Sequence, residues 1–341
     1  MNEILNTLAS KYNWQDTSAI QLHSGLINTT FKVTTNNEQF IVQKINSKIF
    51  TNPTIIHNNL NKLQQFLVKT NSNYHLIAPI KGVDGKTIYS IKNQYYRAFQ
   101  FINHSHTIPV VHTSHQAFEA AKQFAYFTKT FNKFHPNQLQ ITLPNFHDLN
   151  LRYQQFLQSI QLGNKQRIEA QQQLIDTLLS HEKIVLHYNN FIQHADAKIR
   201  VTHHDTKISN VLFNEKDEAI AVIDLDTVMP GYFLSDVGDM IRTYVYPVSE
   251  EEKDYSKIII RKNMLTAIYE GYLTYMNDEL TNFEKENFYF AGEMMIFMQA
   301  LRFITDYFNN DSYYTTQYPQ QNLTRANNQL HLLKLLQAAC K

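Results

Sequence analysis

The sequence predicts an α+β protein with two lobes, a small β-rich lobe at residues 1–102 and a larger, mostly helical lobe at 103–341. Three observations predict this fold class. Residues 19–102 alternate apolar and polar side chains and are rich in Ile, Val, Thr and Phe, as strands are. The chain beyond residue 103 follows a helical period instead. One strand pair, "NVLFN" and "AIAVIDLD", interrupts the predicted helices. We expect a cleft between the lobes.

The elements of the first lobe can be assigned in order. "MNEILNTLASKYNW" has the spacing of an amphipathic helix with Ile4, Leu5 and Leu8 on one side. Strand patterns follow in "AIQLHSGLINTTFKVTT", "QFIVQKI" and "QYYRAFQFI". "PIKGVDGKTIYSI" predicts two strands around a turn at Asp84–Gly85. The one main helix of the sheet region is "TNPTIIHNNLNKLQQFLVKT", with a proline near its start.

The second lobe begins with the helical stretches "HQAFEAAKQFAYFTKTFNKF" and "RIEAQQQLIDTLLSHEKIVLHYNNFI". After the strand pair, Ser249 and Glu252 have the spacing of a capping box, which predicts a helix start. "KENFYFAGEMMIFMQALRFITDYF" is a long helix rich in aromatic residues and Met. We expect this stripe to form core rather than a ligand site.

Composition excludes several functional classes. Lys and Arg number 31 against 30 Asp and Glu, so the basic excess of a nucleic-acid binder is absent. The single cysteine, Cys340, rules out an internal disulfide and a Cys-based zinc site. No apolar run approaches the ~20 residues that span a bilayer, and the N-terminus lacks the features of a signal peptide. We therefore expect no membrane partner and a cytoplasmic location.

Signals for nucleotide binding are weak in the first lobe. "GVDGKT" does not have the spacing of a phosphate-binding loop, and no G-x-G-x-x-G follows a strand. In "SGLINTTF", a hairpin carrying Ser24, Gly25, Asn28, Thr29 and Thr30 could lie over phosphates and offer N–H and hydroxyl donors. The alternative is an ordinary polar turn. Lys44 at the end of "FIVQK" could reach the same phosphates, although strand lysines are usually solvated.

The segment "VTHHDTKISNVLF" carries the most specific spacing. Asp205 and Asn210 are five residues apart with Lys207 between them, and a strand pair then leads to Asp224. Phosphoryl transfer needs a carboxylate that accepts the proton of the acceptor hydroxyl, and an amide oxygen and a second carboxylate that hold Mg²⁺. A lysine at position 207 could offset charge on the transferred group. The pattern is a strong signal for a phosphotransferase.

The other polar residues near this segment have several interpretations. His203 and His204 are neighbours, so on a strand they would point to opposite faces and could not easily share a metal ion. We expect His203 to brace the loop and His204 to face the cleft. Asp226 is expected on the same strand face as Asp224, where it would assist the metal or bond to backbone. Asp236 is expected to accept N–H bonds from the loop.

These motifs resemble the aminoglycoside phosphotransferase and choline kinase superfamily, which shares the protein-kinase-like fold. "VTHHDTKISNVLF", "VIDLDTVMPG" and "SDVGDMIRT" are similar to motifs of the N-acetylhexosamine 1-kinase group. The similarity runs from about residue 20 to 333, through "GLINTTFKV", "FIVQKIN", "LPNFHDLNLRY" and "RFITDYFNNDSYYTTQYPQQNLTRANNQL". The resemblance implies an ATP- and Mg²⁺-dependent kinase that phosphorylates the anomeric hydroxyl of an N-acetylhexosamine or related hexose.

The resemblance also implies roles around the nucleotide. Asp205 would be the catalytic base, and Asn210 and Asp224 would hold Mg²⁺. Lys44 would contact the phosphates beneath the turn at residue 25. The adenine would lie against the connection between the lobes, which contains Gln100, Phe101 and Asn103.

On the acceptor side, the resemblance implies that Arg302 and Tyr313 bind the sugar. An arginine offers a rigid fork of donors, and a tyrosine combines a flat apolar face with a hydroxyl. We place His204 and Asp226 on the same side, although His204 stands where the group has Asn.

Two alternatives remain at this point. A kinase of the same fold could act on an amino alcohol or aminoglycoside, but the balanced charge gives no support for a polycationic acceptor. A nucleotide-binding pseudokinase is the other, and the retention of Asp205, Asn210 and Asp224 argues against it.

Overall fold

The protein is described by a computed structural model for residues 2–22, 27–36 and 38–340. Its first part is a five-stranded antiparallel sheet in the order β1-β2-β3-β5-β4, with two helices. The elements are α1 (Asn2–Tyr12), β1 (Ser18–Leu22), β2 (Thr29–Thr34), β3 (Gln39–Ile45), α2 (Pro53–Lys69), β4 (Tyr89–Ile91) and β5 (Gln94–Gln100).

One face of this sheet packs against α1, as the amphipathic pattern predicts. Leu5 and Leu8 of α1 are buried against Phe31 of β2 and Val42 of β3. Because side chains alternate along a strand, the neighbouring residues of β2, β3 and β5 point to the opposite face. That face is turned toward the helical part of the chain.

The second part is mostly helical and contains two small sheets. β8 and β9 form the predicted antiparallel pair, which β6 extends, and β7 pairs with β10. The elements are β6 (His106–Thr107), α3 (Ser114–Thr130), α4 (Leu149–Leu162), α5 (Lys165–Glu169), α6 (Gln172–Leu179), α7 (Glu182–Gln193), β7 (Ile199–Thr202), β8 (Val211–Phe213), β9 (Ala219–Val222), β10 (Met229–Tyr232), α8 (Phe233–Tyr244), α9 (Lys262–Met276), α10 (Asn282–Glu286), α11 (Phe288–Phe308) and α12 (Gln321–Ala339).

The larger core is built around α11, which packs against α4, α8 and α12. This helix is buried along most of its length, so its aromatic and Met-rich stripe is core, as expected. α3 packs against α9, and Gly271 allows the contact because a Cβ there would come within 2.4 Å of the Phe118 carbonyl oxygen. α3 also packs against β9, so the β8–β9 pair rests on this helical core.

Helix α2 joins the larger core rather than the face that α1 covers. The Phe66 ring lies 5.5 Å from the Phe134 ring, between centroids. The buried Asn59 amide donates to the carbonyls of Gln140 and Val228, and its oxygen accepts from the Gln140 N–H. The helix between β3 and β4 is thus fixed to the C-terminal part of the chain.

Two local predictions are wrong. Ser249 and Glu252 form a turn, in which the Glu252 N–H donates to the Ser249 carbonyl, and the next α-helix begins only at Lys262. The predicted turn at residues 84–85 is present, with Gly85 at φ +78°, but the segment before it is not a strand. No helix in the described part of the chain is both long and apolar enough to cross a membrane.

Candidate active site

The loop after β7 is held by α8 and by Ile223, the residue after β9. Both carboxylate oxygens of Asp236 accept backbone N–H bonds, from His203 at 3.0 Å and His204 at 2.7 Å. The His203 ring is bonded through Nε2 to the Ile223 carbonyl at 2.9 Å and packs edge-on against Phe124. This agrees with the bracing expected of His203 and Asp236. The backbone that carries the next residue, Asp205, is therefore fixed on two sides.

Asp205 is engaged by two donors from its own loop. The Lys207 ammonium and the Asn210 amide nitrogen each lie 2.9 Å from its Oδ2, and Asn210 also donates to its backbone carbonyl. Burial would raise the pKa of Asp205, but the charge and hydrogen bond of Lys207, with His203 and Asn210, hold it below the usual value. The carboxylate is thus ionised and oriented, as a proton acceptor must be.

Asp224 lies two residues beyond β9 rather than on it. Its backbone is left-handed, with φ 60° and ψ 54°, a conformation that a short polar residue tolerates. Burial and the nearby carboxylates of Asp226 and Asp205 raise the pKa of Asp224 to about 7. Asp226 is in the following 3₁₀ turn, Leu225–Thr227, so its expected position on the same strand face is wrong.

Asn210 and Asp224 fit a magnesium site. The amide nitrogen of Asn210 is used on Asp205, which leaves its oxygen for a cation. Within the described ranges, no hydrogen bond engages the Asp224 carboxylate, and no cluster of three His, Cys, Asp or Glu is arranged to bind a metal. Mg²⁺ is typically held by one or two protein oxygen ligands together with substrate phosphates. The crowded carboxylates at Asp224 would be relieved by such a cation.

Beside these residues is a cavity of about 330 Å³ between the main sheet and the loop after β7. The sheet contributes Thr30, Ile41 and Gln43, and the opposite wall is formed by Lys207, Asn210 and Asp224. Its apolar end contains Phe99, Phe101 and Ile102. A cavity that is apolar at one end and polar at the other suits a nucleotide base and its phosphates, and we name it the nucleotide cavity.

Two residues expected at the phosphates point away from this cavity. Lys44 of β3 pairs with Thr29 of β2, and both share the face that carries the α1-facing residues Phe40 and Val42. We therefore correct both assignments. Of the two threonines expected there, only Thr30 lines the cavity, and Gln43 takes the place expected of Lys44.

The remaining nucleotide-site predictions divide as follows. Ser24 and Gly25 lie outside the described residues. Gln100 and Phe101 line the cavity, but Asn103 does not and stands in an exposed turn. Asn28 lines the cavity with its amide already bonded, since its Nδ2 donates to Asp226 at 2.8 Å.

Sequence reasoning missed Arg97 of β5. Its Nε and Nη2 donate to the Gln43 side-chain oxygen at 3.1 and 2.7 Å, and its Nη1 lies 2.6 Å from Asp226 Oδ1. Asp226 is 2% exposed and shared with Asn28, so its carboxylate is not free for the acceptor, and we correct that assignment. The signal for Arg97 was a single charge within the aromatic strand "QYYRAFQ".

A second cavity, of about 430 Å³, lies in the helical part between α4 and the end of α11. It contains both predicted sugar-binding residues, Arg302 and Tyr313, with the further residues Arg152 and Tyr314. The Arg302 guanidinium carbon lies 6.0 Å from the Tyr313 ring centre and 5.5 Å from that of Tyr314. Tyr313 is 74% exposed, so one aromatic face is available to a ligand.

His204 does not point into the nucleotide cavity. Its Nδ1 is 2.7 Å from the Ser235 hydroxyl and its Nε2 is 2.7 Å from that of Thr202. The same Ser235 hydroxyl is bonded to the His147 ring. Burial, and then the charge of His203, lowers the pKa of His204 to about 4, so the ring is neutral. Its place is a separate cavity near β10, which corrects the expectation that it faces the cleft.

The comparison with protein families decides the class of protein. The model of the phosphotransferase enzyme family matches residues 18–256, which is more than half of the chain. The chain belongs to this family.

Solved structures agree with this fold. A microcompartment-associated aminopropanol kinase is 14% identical, with a TM-score of 0.65 and coverage of 99% of this chain and 97% of the other. A spectinomycin phosphotransferase bound to ADP and its substrate is 14% identical, with a TM-score of 0.61 and coverage of 99% and 98%. Choline kinase from Cryptosporidium parvum is 15% identical, with a TM-score of 0.58 and coverage of 99% and 97%. The small antiparallel sheet and the helical C-terminal part of the present chain, itself a phosphotransferase, thus form the kinase-like fold.

Proposed function

We propose that the protein is an ATP- and Mg²⁺-dependent kinase that phosphorylates the anomeric hydroxyl of an N-acetylhexosamine or a related hexose. The phosphotransferase family supports the reaction, and so do Asn210 and Asp224, which line the cavity, with Asp205 hydrogen-bonded to Asn210. One similar structure holds ADP, which supports ATP as the donor.

The chain's own residues account for the transfer as follows. The ionised Asp205 carboxylate accepts the proton of the acceptor hydroxyl, whose oxygen forms a bond to the γ-phosphorus while the bond to the β-phosphate oxygen breaks. Lys207, beside Asp205, places a positive charge near the transferred group. Asn210 and Asp224 would hold Mg²⁺, which would neutralise phosphate charge. The products are a sugar 1-phosphate, ADP and a proton.

The proposal of a sugar acceptor is supported by the charge of the cavity between α4 and α11. Arg152 and Arg302 both line it. The one carboxylate in its lining is Asp306, and this group is occupied by the Tyr313 and Tyr314 N–H groups and the Asn322 amide, at 2.8–2.9 Å. The cavity therefore offers guanidinium donors and no free carboxylate among its described lining residues.

Such a cavity favours a neutral acceptor rich in oxygen over a cationic one. The similar structures act on aminopropanol, spectinomycin and choline, and an amine brought between two guanidinium groups would be repelled. Hydroxyl and amide oxygens of an N-acetylhexosamine would instead accept hydrogen bonds from Arg302 or Arg152. The exposed Tyr313 ring suits the apolar face of a sugar.

The proposal is tested by measuring ATP consumption with Mg²⁺ against N-acetylhexosamines, hexoses, choline, aminopropanol and aminoglycosides. We expect a sugar to give the highest kcat/KM, with an anomeric phosphate as the product in ³¹P spectra. Asp205→Asn should lower kcat by ~10²–10⁴-fold. Preference for an amine acceptor, or full activity of the Asn variant, would contradict the proposal.

A further inference from the structure

The wall of the nucleotide cavity has no lysine from strand β3, because Lys44 lies on the other face and Gln43 takes the cavity-facing position. In protein kinases a strand lysine contacts the phosphates and pairs with a helix glutamate. Helix α2, Pro53–Lys69, contains no acidic residue. The ion pair that marks the assembled site in protein kinases therefore has no counterpart at the same positions.

An arginine from β5, the strand next to β3, lies beside Gln43 instead. Arg97 on β5 is directly opposite Gln43 on β3 and donates two hydrogen bonds to its side-chain oxygen. The third guanidinium nitrogen reaches across to Asp226, at 2.6 Å, in a charge contact rather than an aligned hydrogen bond. Both side chains are nearly inaccessible, at 3% and 2% exposure.

The far oxygen of Asp226 is tied to the sheet as well. Asn28, just before β2, donates to Oδ2 of Asp226 at 2.8 Å. The Asn28 oxygen accepts from the Asn46 N–H at 3.0 Å, and the Asn46 amide donates to the Ile27 carbonyl at 3.3 Å. Asp226 is thus held at one carboxylate oxygen by Arg97 and at the other by Asn28, just before β2.

We propose that Arg97 is a positioning residue of the phosphotransferase site, which clasps Gln43 and Asp226 and so sets the turn that presents Asp224 to the cavity. Asp226 is two residues after Asp224, and the backbone between them includes the left-handed residue and a 3₁₀ turn. A side chain fixed at both oxygens restricts where that turn can lie. The clasp joins the sheet to the metal-binding loop, a connection that a lysine–glutamate pair within one lobe would not make.

The guanidinium group is suited to this task in a way that an ammonium is not. Its planar fork can bond one acceptor through Nε and Nη2 and still direct Nη1 to a second. Arg97→Lys keeps the positive charge, but one nitrogen must then replace the three that contact Gln43 and Asp226, and the fixed geometry of the fork is lost. This conservative change therefore separates the geometry of the clasp from its charge.

The chain provides a matched control in Arg200 and Glu284. This second arginine–carboxylate pair is equally buried, at 4% and 0% exposure, and links β7 to the start of α10. Arg200 also donates to the Glu279 carbonyl at 2.8 Å, and it does not line the nucleotide cavity. Arg200→Lys perturbs a buried pair of the same kind without touching the clasp.

The decisive measurement is amide hydrogen exchange of residues 223–228 in the free protein. Arg97→Lys and Asp226→Asn should each accelerate exchange there by about tenfold or more, as local opening becomes easier. Arg200→Lys should leave this segment at the wild-type rate. Equal exchange in the Arg97 and Arg200 variants would overturn the proposal, whatever the enzyme's acceptor proves to be.

The role of the clasp, the contacts of Arg97 with Gln43 and Asp226, in catalysis rests on the proposed function, and enzyme kinetics test it. With Mg²⁺, ATP and an active acceptor, Arg97→Lys should raise the Mg²⁺ concentration for half-maximal rate about tenfold or more and leave the acceptor KM within about twofold. A wild-type protein that transfers phosphate to no acceptor would defeat the proposed function, while the exchange comparison still decides the clasp. An unchanged Mg²⁺ requirement in an active Arg97→Lys enzyme would overturn the positioning role.

Discussion

Asn210 donates from one amide nitrogen to both the carbonyl and the carboxylate of Asp205, at 2.8 and 2.9 Å. The nitrogen orients the proposed base, and this leaves the oxygen of the same amide for the proposed metal ion. One side chain would therefore couple the proton acceptor to the metal site. This double use explains why an asparagine, rather than a second aspartate, suits the position.

Asn210→Asp keeps an oxygen ligand and removes the donor. The new carboxylate would repel that of Asp205, raise its pKa and release its orientation. We expect kcat to fall by about tenfold or more, while the Mg²⁺ concentration for half-maximal rate does not increase. Both are obtained from initial rates over a Mg²⁺ titration. The surface change Asn214→Asp, in the β8–β9 turn, is the control.

The second prediction concerns the two neighbouring residues Gln43 and Lys44. Lys44→Met should change the KM for ATP by less than about twofold, because the side chain lies on the face of β3 opposite the cavity. Gln43→Met removes the acceptor of two Arg97 hydrogen bonds and should raise that KM. Steady-state rates at saturating acceptor distinguish them. A large effect from Lys44→Met alone would mean that the lysine reaches the phosphates.

The grouping of Asp205, Lys207 and Asn210 could be predicted from the sequence because their contacts are local. The three residues lie within six positions, and both Lys207 and Asn210 bond to Asp205, so their spacing reports their geometry. Their catalytic roles stay a proposal. The strand pair that follows is short and antiparallel, with a register shift between Leu212 and Phe213, and it brings Asp224 near the same point. The local backbone after β9 could not be predicted, since nothing in "VIDLDT" requires a left-handed residue.

The cavity face of β3 was not predictable for a different reason. Phe40 and Val42 lie on one face of the strand and Ile41 and Ile45 on the other, so both faces are apolar. Alternation then does not show which polar residue, Gln43 or Lys44, points inward. The partner of Arg97 is even less visible in sequence, because Asp226 is more than a hundred residues away and is met only in the folded chain.

The third prediction concerns stability and pH. Burial lowers the pKa of His204 from 6.5 to about 4, so the unfolded chain takes up a proton at this residue before the folded chain does. The stability linked to neutral His204 is complete above pH 6.5 and is lost as the pH falls toward 4. His204→Asn removes this linkage. The stability difference between wild type and variant should shrink by ~3 kcal/mol across that window.

Urea unfolding at several pH values between 7 and 4 measures this difference. His147 and His203 also have pKa values lowered first by burial, and both remain in the variant, so the effect of burial on them is common to both proteins. A difference that stays constant with pH would show that His204 is not held neutral by the fold.

The last prediction tests the cavity between α4 and α11. Arg302→Met removes one of two guanidinium groups but keeps an unbranched side chain that can fill similar space. If Arg302 donates to the acceptor, loss of a charge-assisted hydrogen bond worth about 1.5–3 kcal/mol should raise the acceptor KM by roughly 10–100-fold. The KM for ATP should stay within about twofold, because Arg302 does not line the nucleotide cavity.

The same variant distinguishes the sugar from a cationic acceptor. Removing a positive charge should weaken the binding of a neutral sugar that accepts a hydrogen bond from Arg302. It should increase the low activity with choline or aminopropanol, because the repulsion of their positive charge falls. The ratio of kcat/KM values for sugar and amine, measured in wild type and Arg302→Met, reports this directly. Tyr313→Ala, which removes an exposed ring and no charge, should lower kcat/KM for the sugar without raising it for the amine. If both variants lower sugar and amine use equally, the arginine contributes to folding of the cavity rather than to selection of its ligand.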